Sequence, residues 1–304
     1  MRWQAGLAFV TKTIEWISKS RGANDRLQRI EQRLHRLTTL YDQLRVRRPL
    51  RIESVRSLPA NTVEALYAML DPASPKNPFT REKTRWRVFV AFVLLLHQGL
   101  RRGEVLLLSA DAVKSAFDAN QQRTRYWINV RYSQYEATSD DPRYSKPSIK
   151  TMHSIRQVPV SEVTARLVQT YTENFRGQPA HSFLLNSQSD APLSTETLTR
   201  VFAQISANFP SSVAKELSDR TGKSSVTPHD LRHTCAVVRL QQLLTQGDPM
   251  DEALQKLRTF FGWSKQSTMP SRYARAVFED RLANVWNNAF DDRVSLLRAL
   301  PRRI

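Results

Sequence analysis

Cysteine is nearly absent from this sequence: Cys235 is the only one in 304 residues. No disulfide can form within the chain, and a reducing compartment suits it. Long apolar runs are missing as well. The longest, Val88 to Leu96, is too short to cross a bilayer. The opening Met-Arg-Trp-Gln has no secretory pattern. The six histidines keep no Cys, Asp or Glu company at the spacings zinc requires, and no internal repeat shows. Acidic residues are scarce beside basic ones. There are 28 Asp and Glu against 46 Lys and Arg, a net charge of +18 and a pI near 10.6. These features describe a soluble, intracellular chain of one large or two modest domains. A charge excess this large, without low-complexity tails, points to a polyanion partner, DNA or RNA before a membrane surface.

Residues 1–57 carry 13 basic and 5 acidic residues. Phe9, Val10, Ile14 and Ile17 approximate one helical stripe, and Leu27, Ile30, Leu34, Leu37, Leu40 and Leu44 form a cleaner second one. Arg26, Arg29, Arg33 and Arg36 lie off that stripe, on a face that is either simply solvated or tracks phosphates. Two helices are few for an independent core. Val46 to Ser57 reads as a linker.

Beyond it the chain is mainly helical. Helices are expected after Pro59, from Arg81 through the central run Val88 to Leu96, and from Arg101 through Leu108. Further ones are expected near 161–175, 194–208, 211–220, 229–245, 250–260 and 275–298. Strand character marks Tyr126 to Tyr132 and Ser154 to Val160, with Pro159 suiting an edge or strand end. The hairpin they imply carries Lys150. Gly262, Ser264 and Pro270 mark an interruption around Tyr273.

The most informative stretch is Thr227-Pro-His-Asp-Leu-Arg-His-Thr234. Thr227 can cap a helix, Pro228 suits its first position and Asp230 sits where a capping-box acid belongs. His229 and Arg232 are three apart and share a face. The helix N-terminus favours an anion there and disfavours a charged imidazole. Arg101, Lys150, Trp263 and Tyr273 complete a set of polar groups in mainly apolar or helical surroundings. Such a set suits transesterification at phosphorus. A phenol attacks, two guanidinium forks hold the non-bridging oxygens, and a lysine protonates the leaving oxygen. Taken singly, each residue has a plainer reading: Tyr273 as a packing residue, Trp263 as a core aromatic, the His and Arg as surface side chains. Lys146 competes with Lys150, and Arg102 with Arg101. His233 and His153 are assigned to structure or solvent.

In their order along the chain these residues resemble the tyrosine recombinases of the phage integrase family. Gly99-Leu-Arg-Arg-Gly-Glu-Val105 resembles the family's first box, with Arg101 as the first arginine and Glu104 as the supporting acid. Ile149-Lys150-Thr151 resembles the hairpin of the catalytic lysine, and His229-Asp-Leu-Arg232 the His-x-x-Arg box. Phe261-Gly-Trp263 stands at the Gly-His or Gly-Trp position, and Tyr273-Ala-Arg at the nucleophile. Trp263 and Tyr273 are ten residues apart, one more than is usual in the family, which a loop near Pro270 would absorb.

The resemblance covers roughly residues 56–290. It implies a mainly α fold with a small antiparallel β-sheet, a catalytic domain over 58–304 and a partial helical core-binding region with its linker over 1–57. It implies Tyr273 as nucleophile of a 3′-phosphotyrosyl link, Arg101 and Arg232 on the non-bridging oxygens, and Lys150 as the acid. His229 and Trp263 complete the shell, His229 is also implied to assist with the nucleophile's proton, and Glu104 orients the site. Neither metal, ATP nor other cofactor is implied. The partner is double-stranded DNA, in a tetramer of this chain at synapsis. A last helix around Phe278 to Leu297, with Leu282, Val285, Trp286 and Phe290 apolar, is implied to dock on a neighbour or in cis. The setting is the cytoplasm of a bacterium, where mobile elements carry such proteins. A non-catalytic DNA-binding relative or fragment and an enzyme of the type IB topoisomerase kind are the alternatives.

Overall fold

The structure, a computed structural model, describes residues 57–132, 141–149 and 152–278, together with ten positions between 9 and 36. Lys150, most of residues 1–57 and the segment from 279 onward lie outside the described residues. The apolar stripe from Leu27 to Leu44 and the expected last helix, including Leu282, Val285, Trp286 and Phe290, therefore lie outside them as well. The chain divides into two compact units, Met1–Glu53 and Ser54–Ile304. In the first, the described backbone is helical.

In the second unit the elements run in a simple order. Helices α1 (Ala60–Leu70), α2 (Glu82–His97) and the short α3 (Arg102–Leu107) come first. Strands β1 (Val113–Asp118), β2 (Arg123–Val130) and β3 (Arg156–Val160) follow. Then come α4 (Glu162–Thr170), extended by a wider turn over Tyr171–Phe175, and α5 (Thr195–Ala207), α6 (Ser211–Thr221), α7 (Pro228–Thr245) and α8 (Met250–Phe261). Helical backbone resumes over 269–278.

The pattern of apolar residues explains the layering. In α2 nine consecutive apolar residues leave only Phe89 outside the fully buried set, and a helix apolar all round belongs at the centre. The three strands form an antiparallel sheet in the order β1-β2-β3. Ile128 pairs with Val113 on one side and Val158 on the other. Ile128, Val130, Val158 and Val160 alternate onto the buried face. Pro159 sits on β3, an edge strand that does not need its missing N–H. Strand β1 departs from expectation. Its Val-Lys-Ser-Ala-Phe-Asp run has three consecutive exposed residues, Ser115 to Phe117, and none fully buried, so it lacks the alternation that marks a half-buried strand.

Among the described residues three apolar clusters result, the smallest being Leu107, Ile149 and Phe183, and the other two frame the rest. The larger gathers around α2, the sheet and α5. The smaller joins α7, α8 and residues 269–278 through Cys235, Leu240, Leu257, Phe261, Trp263 and Tyr273. Helix α7 belongs to both, with Leu231 in the first and Ala236 in the second. Its start is fixed as its sequence demands. Asp230 N–H reaches Thr227 Oγ1 at 3.4 Å while Thr227 N–H reaches Asp230 Oδ2 at 2.9 Å. Tyr273 lies within the helical backbone of 269–278 rather than in the interruption, which falls at 263–268. Pro270 stands in the first turn of that helix, where it costs no hydrogen bond, so the extra residue is taken up before it.

Between α2 and α3 the chain turns at Gly99, whose φ is +55°. A Cβ there would lie 2.3 Å from Phe261 Cε1. Gly99→Ala should therefore combine a left-handed backbone penalty of about 1–2 kcal/mol with a ring displacement. The expected result is a fall in melting temperature of roughly 4–8 °C or more, read by circular dichroism.

Candidate active site

A single carboxylate ties together three distant parts of the second unit. Glu104 sits in the first turn of α3 and is 2% exposed. Its Oε2 accepts the Arg101 backbone N–H at 2.9 Å, and its Oε1 accepts Arg101 Nη1 at 2.5 Å. Arg156, from the start of β3, grips it with both forks, Nη1 to Oε1 at 3.1 Å and Nη2 to Oε2 at 3.0 Å. Arg232 of α7 brings Nη1 within 3.7 Å of Oε2. Arg101 also donates to Ser154 Oγ at 2.9 Å, and Arg156 Nε to the Phe260 carbonyl at 2.7 Å.

Three guanidinium groups around one buried acid would repel one another without it. Burial alone would raise the Glu104 carboxyl. The hydrogen bonds and charge of Arg156, then the charges of Arg232 and Arg101, outweigh that and hold it below the usual carboxylate range. Arg232 is 3% exposed. Burial and then Arg101 draw its pKa down, and Glu104 works against them. It donates to the carbonyls of Gly99 and Phe261, the second at 2.9 Å, and lies 4.8 Å over the Phe261 ring. Those two bonds use two of its five N–H donors, and a guanidinium stays protonated.

The aromatic residues form a continuous pile. The Phe261 and Trp263 rings stack at 4.8 Å and 11°, and Trp263 and Tyr273 at 5.3 Å and 13°. Helix α8 stops at Gly262, and the Trp263 N–H turns back to the Arg258 carbonyl at 3.0 Å. That return sets the indole between its two neighbours. Tyr273 is 1% exposed. Burial pushes its phenol above the ordinary value, although Arg232 and Arg101 pull the other way.

The Tyr273 hydroxyl lies 2.6 Å from His233 Nδ1. His233 in turn meets His229 edge-on, with ring centroids 4.1 Å apart. Burial, and then the adjacent His229, press the His233 imidazole down to about 4. Burial and then Arg232 lower His229. Both shifts favour the neutral imidazole.

The sequence-derived residues thus fall into groups. Arg101, Glu104 and Arg232 meet directly, Trp263 and Tyr273 join them through the ring pile, and His229 stands beside His233. Lys150 lies outside the described residues. Its neighbour Ser148 packs so closely on α3 that a Cβ on Gly103 would stand 2.8 Å from the Ser148 carbonyl oxygen. Arg102 points elsewhere, donating to Thr199 Oγ1 at 3.0 Å on the surface. Two contributors escape a reading of the sequence. Arg156 looks like an ordinary strand residue, and His233 was assigned to structure or solvent yet touches the phenol. For His233 the available signal was its position four residues after His229, on the same helical face.

The phage integrase family's sequence model matches residues 56–280. No curated protein matches the chain. Among solved structures, the chain is similar to the XerH site-specific recombinase in a post-cleavage complex with its palindromic difH substrate. That match has a TM-score of 0.50 at 14% identity and covers 80% of this chain and 56% of that one, so the chain spans little more than half of XerH. It is also similar to XerA recombinase, with a TM-score of 0.45 at 18% identity over 88% of this chain and 77% of that one. The Tn1549 transposon integrase in complex with circular intermediate DNA gives a TM-score of 0.43 at 17% identity, over 90% and 85%. At these identities the likeness is one of fold.

Glu104→Gln removes the charge that three guanidiniums share. The expected loss is about 3–5 kcal/mol in urea unfolding at pH 7. The wild-type carboxyl is depressed in the fold, so its contribution is complete above the ordinary glutamate pKa of about 4.3 and is lost as pH falls through the lowered one. The gap between wild type and variant should therefore be widest at neutral pH and narrow below about pH 4.

Proposed function

The chain belongs to the phage integrase family of site-specific tyrosine recombinases, and we propose that it cuts and rejoins duplex DNA through a 3′-phosphotyrosyl link on Tyr273. The observation that carries this reading is the shared hold of Glu104 on Arg101 and Arg232, with the Tyr273 ring pile resting against the same arginine.

In the reaction, Tyr273 Oη attacks the scissile phosphorus and the bond to the 5′ oxygen breaks. Arg101 and Arg232 bind the non-bridging oxygens, where planar donor forks match a phosphate and balance the charge that grows in the transition state. Their guanidinium groups supply the positive charge that such chemistry elsewhere takes from a metal. His229, at the N-terminal turn of α7, and the Trp263 indole N–H complete that shell. Glu104 fixes the arginines without touching substrate. Lys150 protonates the leaving oxygen. The link keeps the bond energy, so a 5′ hydroxyl from a partner strand reseals the backbone without ATP.

Double-stranded DNA is the partner in this reading, drawn by the +18 charge. Residues 1–57 act as part of a core-binding region, and 58–304 as the catalytic domain. Strand exchange takes four copies of the chain, and the protein works in the cytoplasm of a bacterial host. Among the described residues no helix is long and apolar enough to cross a membrane.

The test begins with nicked duplexes carrying a randomised central sequence, which trap any covalent adduct by losing the resealing strand. Denaturant-resistant protein–DNA adducts should form in the absence of metal and ATP, and sequencing them gives the target site. Tyr273→Phe should abolish the adduct and keep DNA binding; an adduct with the Phe variant means another nucleophile. Arg232→Lys keeps the charge and loses the fork, with an expected fall of about 10²-fold or more in adduct rate. Salt-sensitive binding with no adduct would mark a binding relative without chemistry. Relaxation of supercoils with no exchange between duplexes would mark a topoisomerase.

A further inference from the structure

Proton removal from a buried phenol needs an acceptor, and the arrangement around Tyr273 offers few. Glu104 is saturated by Arg101, Arg156 and Arg232. Asp230 is held by Lys223 at 2.5 Å and by the Thr227 cap. Cys235 is buried and its thiol is pushed up by that burial. His229 is a ring away, with His233 between it and the phenol at centroid separations of 4.1 and 5.7 Å. Among the described residues, the hydrogen-bond partner of the phenol oxygen is His233 Nδ1 at 2.6 Å.

We infer that His233 is a further catalytic residue: carrying its own proton on Nε2, it accepts the Tyr273 hydroxyl proton at Nδ1 as Oη bonds to phosphorus. This rests on Tyr273 being the nucleophile. In the cleavage step the Oη–H proton passes to His233, the Oη–P bond forms and the P–O5′ bond breaks. The leaving oxygen takes its proton from a separate acid, Lys150 in the reading above. In resealing, the 5′ hydroxyl gives its proton back to Lys150 as O5′ bonds to phosphorus, and the imidazolium returns its proton to Oη as the Oη–P bond breaks. No oxidant, metal or cofactor is consumed.

The surroundings fit an acceptor that changes charge during the step. In the free protein His233 is neutral, pressed by burial, then His229, with Lys223 and Arg232 adding to it and Asp230 opposing. A neutral ring can take a proton; an imidazolium cannot. A scissile phosphate seated on Arg101 and Arg232 offsets their charge. It then favours the imidazolium, moving the acceptor toward the working pH at the moment it is needed. The Trp263 ring, stacked on Tyr273 at 5.3 Å, holds the phenol beside the His233 nitrogen.

The experiment uses the full chain and the duplex recovered by adduct sequencing, in single turnover. His233→Asn keeps an acceptor oxygen near the Nδ1 position but cannot take a proton. It should bind DNA as wild type does and form adduct about 10²–10⁴-fold more slowly. Wild-type rate should follow one protonation, falling as pH drops and reaching a plateau above it. The variant should show no plateau and climb tenfold per pH unit toward the phenol's own ionisation. A duplex with a 5′-bridging sulfur at the scissile position needs no proton on its leaving group. The His233→Asn defect should persist on it, whereas the defect of Lys150→Ala should largely vanish. Near-normal rates with His233→Asn, or a defect erased by the sulfur substrate, would overturn the inference. A wild-type rate that rises log-linearly through neutral pH would do so too, and it requires no variant to fold. Failure of the underlying reading looks different: Tyr273→Phe would still trap DNA, or no adduct would form at all.

Discussion

The Glu104 carboxylate is the constraint on which the remaining geometry depends. It lies on the first turn of α3, yet its partners come from the residue before that helix, from an edge strand and from the second turn of α7. Guanidinium groups from three such places do not approach one another unless an acid holds them. Once held, they are stiff: Arg156 is tied to the Phe260 carbonyl and Arg232 to those of Gly99 and Phe261. A charge cluster that would be costly with any member missing thus becomes a rigid positive group, buried except at Arg101. Such fixed dipoles and charges stabilise a developing anion without reorganising when it forms.

The two larger apolar clusters have different relations to that group. The cluster around α2 and the sheet carries Arg101, Glu104 and Arg156 on its rim. The cluster of α7, α8 and 269–278 contains the aromatic pile itself. Helix α7 threads both, with Leu231 in the first cluster and Cys235 and Ala236 in the second. The ring of Phe261, lying under Arg232 and stacked on Trp263, is the second join.

Much of this was legible in the sequence because the informative residues are local. Thr227, Pro228 and Asp230 specify the start of α7 by cap chemistry alone, and His229 and Arg232 follow from helical spacing. The nine-residue apolar run of α2 announces a central helix. What was not legible depends on tertiary contact. Arg156 is a basic residue on a strand, and only the fold turns it toward Glu104. His233 sits one residue past a recognisable box, and its partner is forty residues away. Strand β1 has no fully buried residue, so pairing with β2, not its own pattern, makes it a strand. Tyr273 was expected near a break and lies on a helix, because Pro270 fits a helix's first turn as well as it ends one.

The burial of the phenol has a consequence for how long a covalent link can last. A phosphotyrosyl ester in open solvent faces water at about 55 M, against a single competing strand end. Here the Tyr273 ring is stacked on Trp263, with the His233 nitrogen beside its oxygen. Under the proposed chemistry, that burial leaves water little room to stand in line with the ester, while a 5′ hydroxyl delivered by a base-paired strand is placed by its own helix. In that reading the aromatic pile is a timer, letting a severed duplex wait for its new partner instead of being lost to hydrolysis.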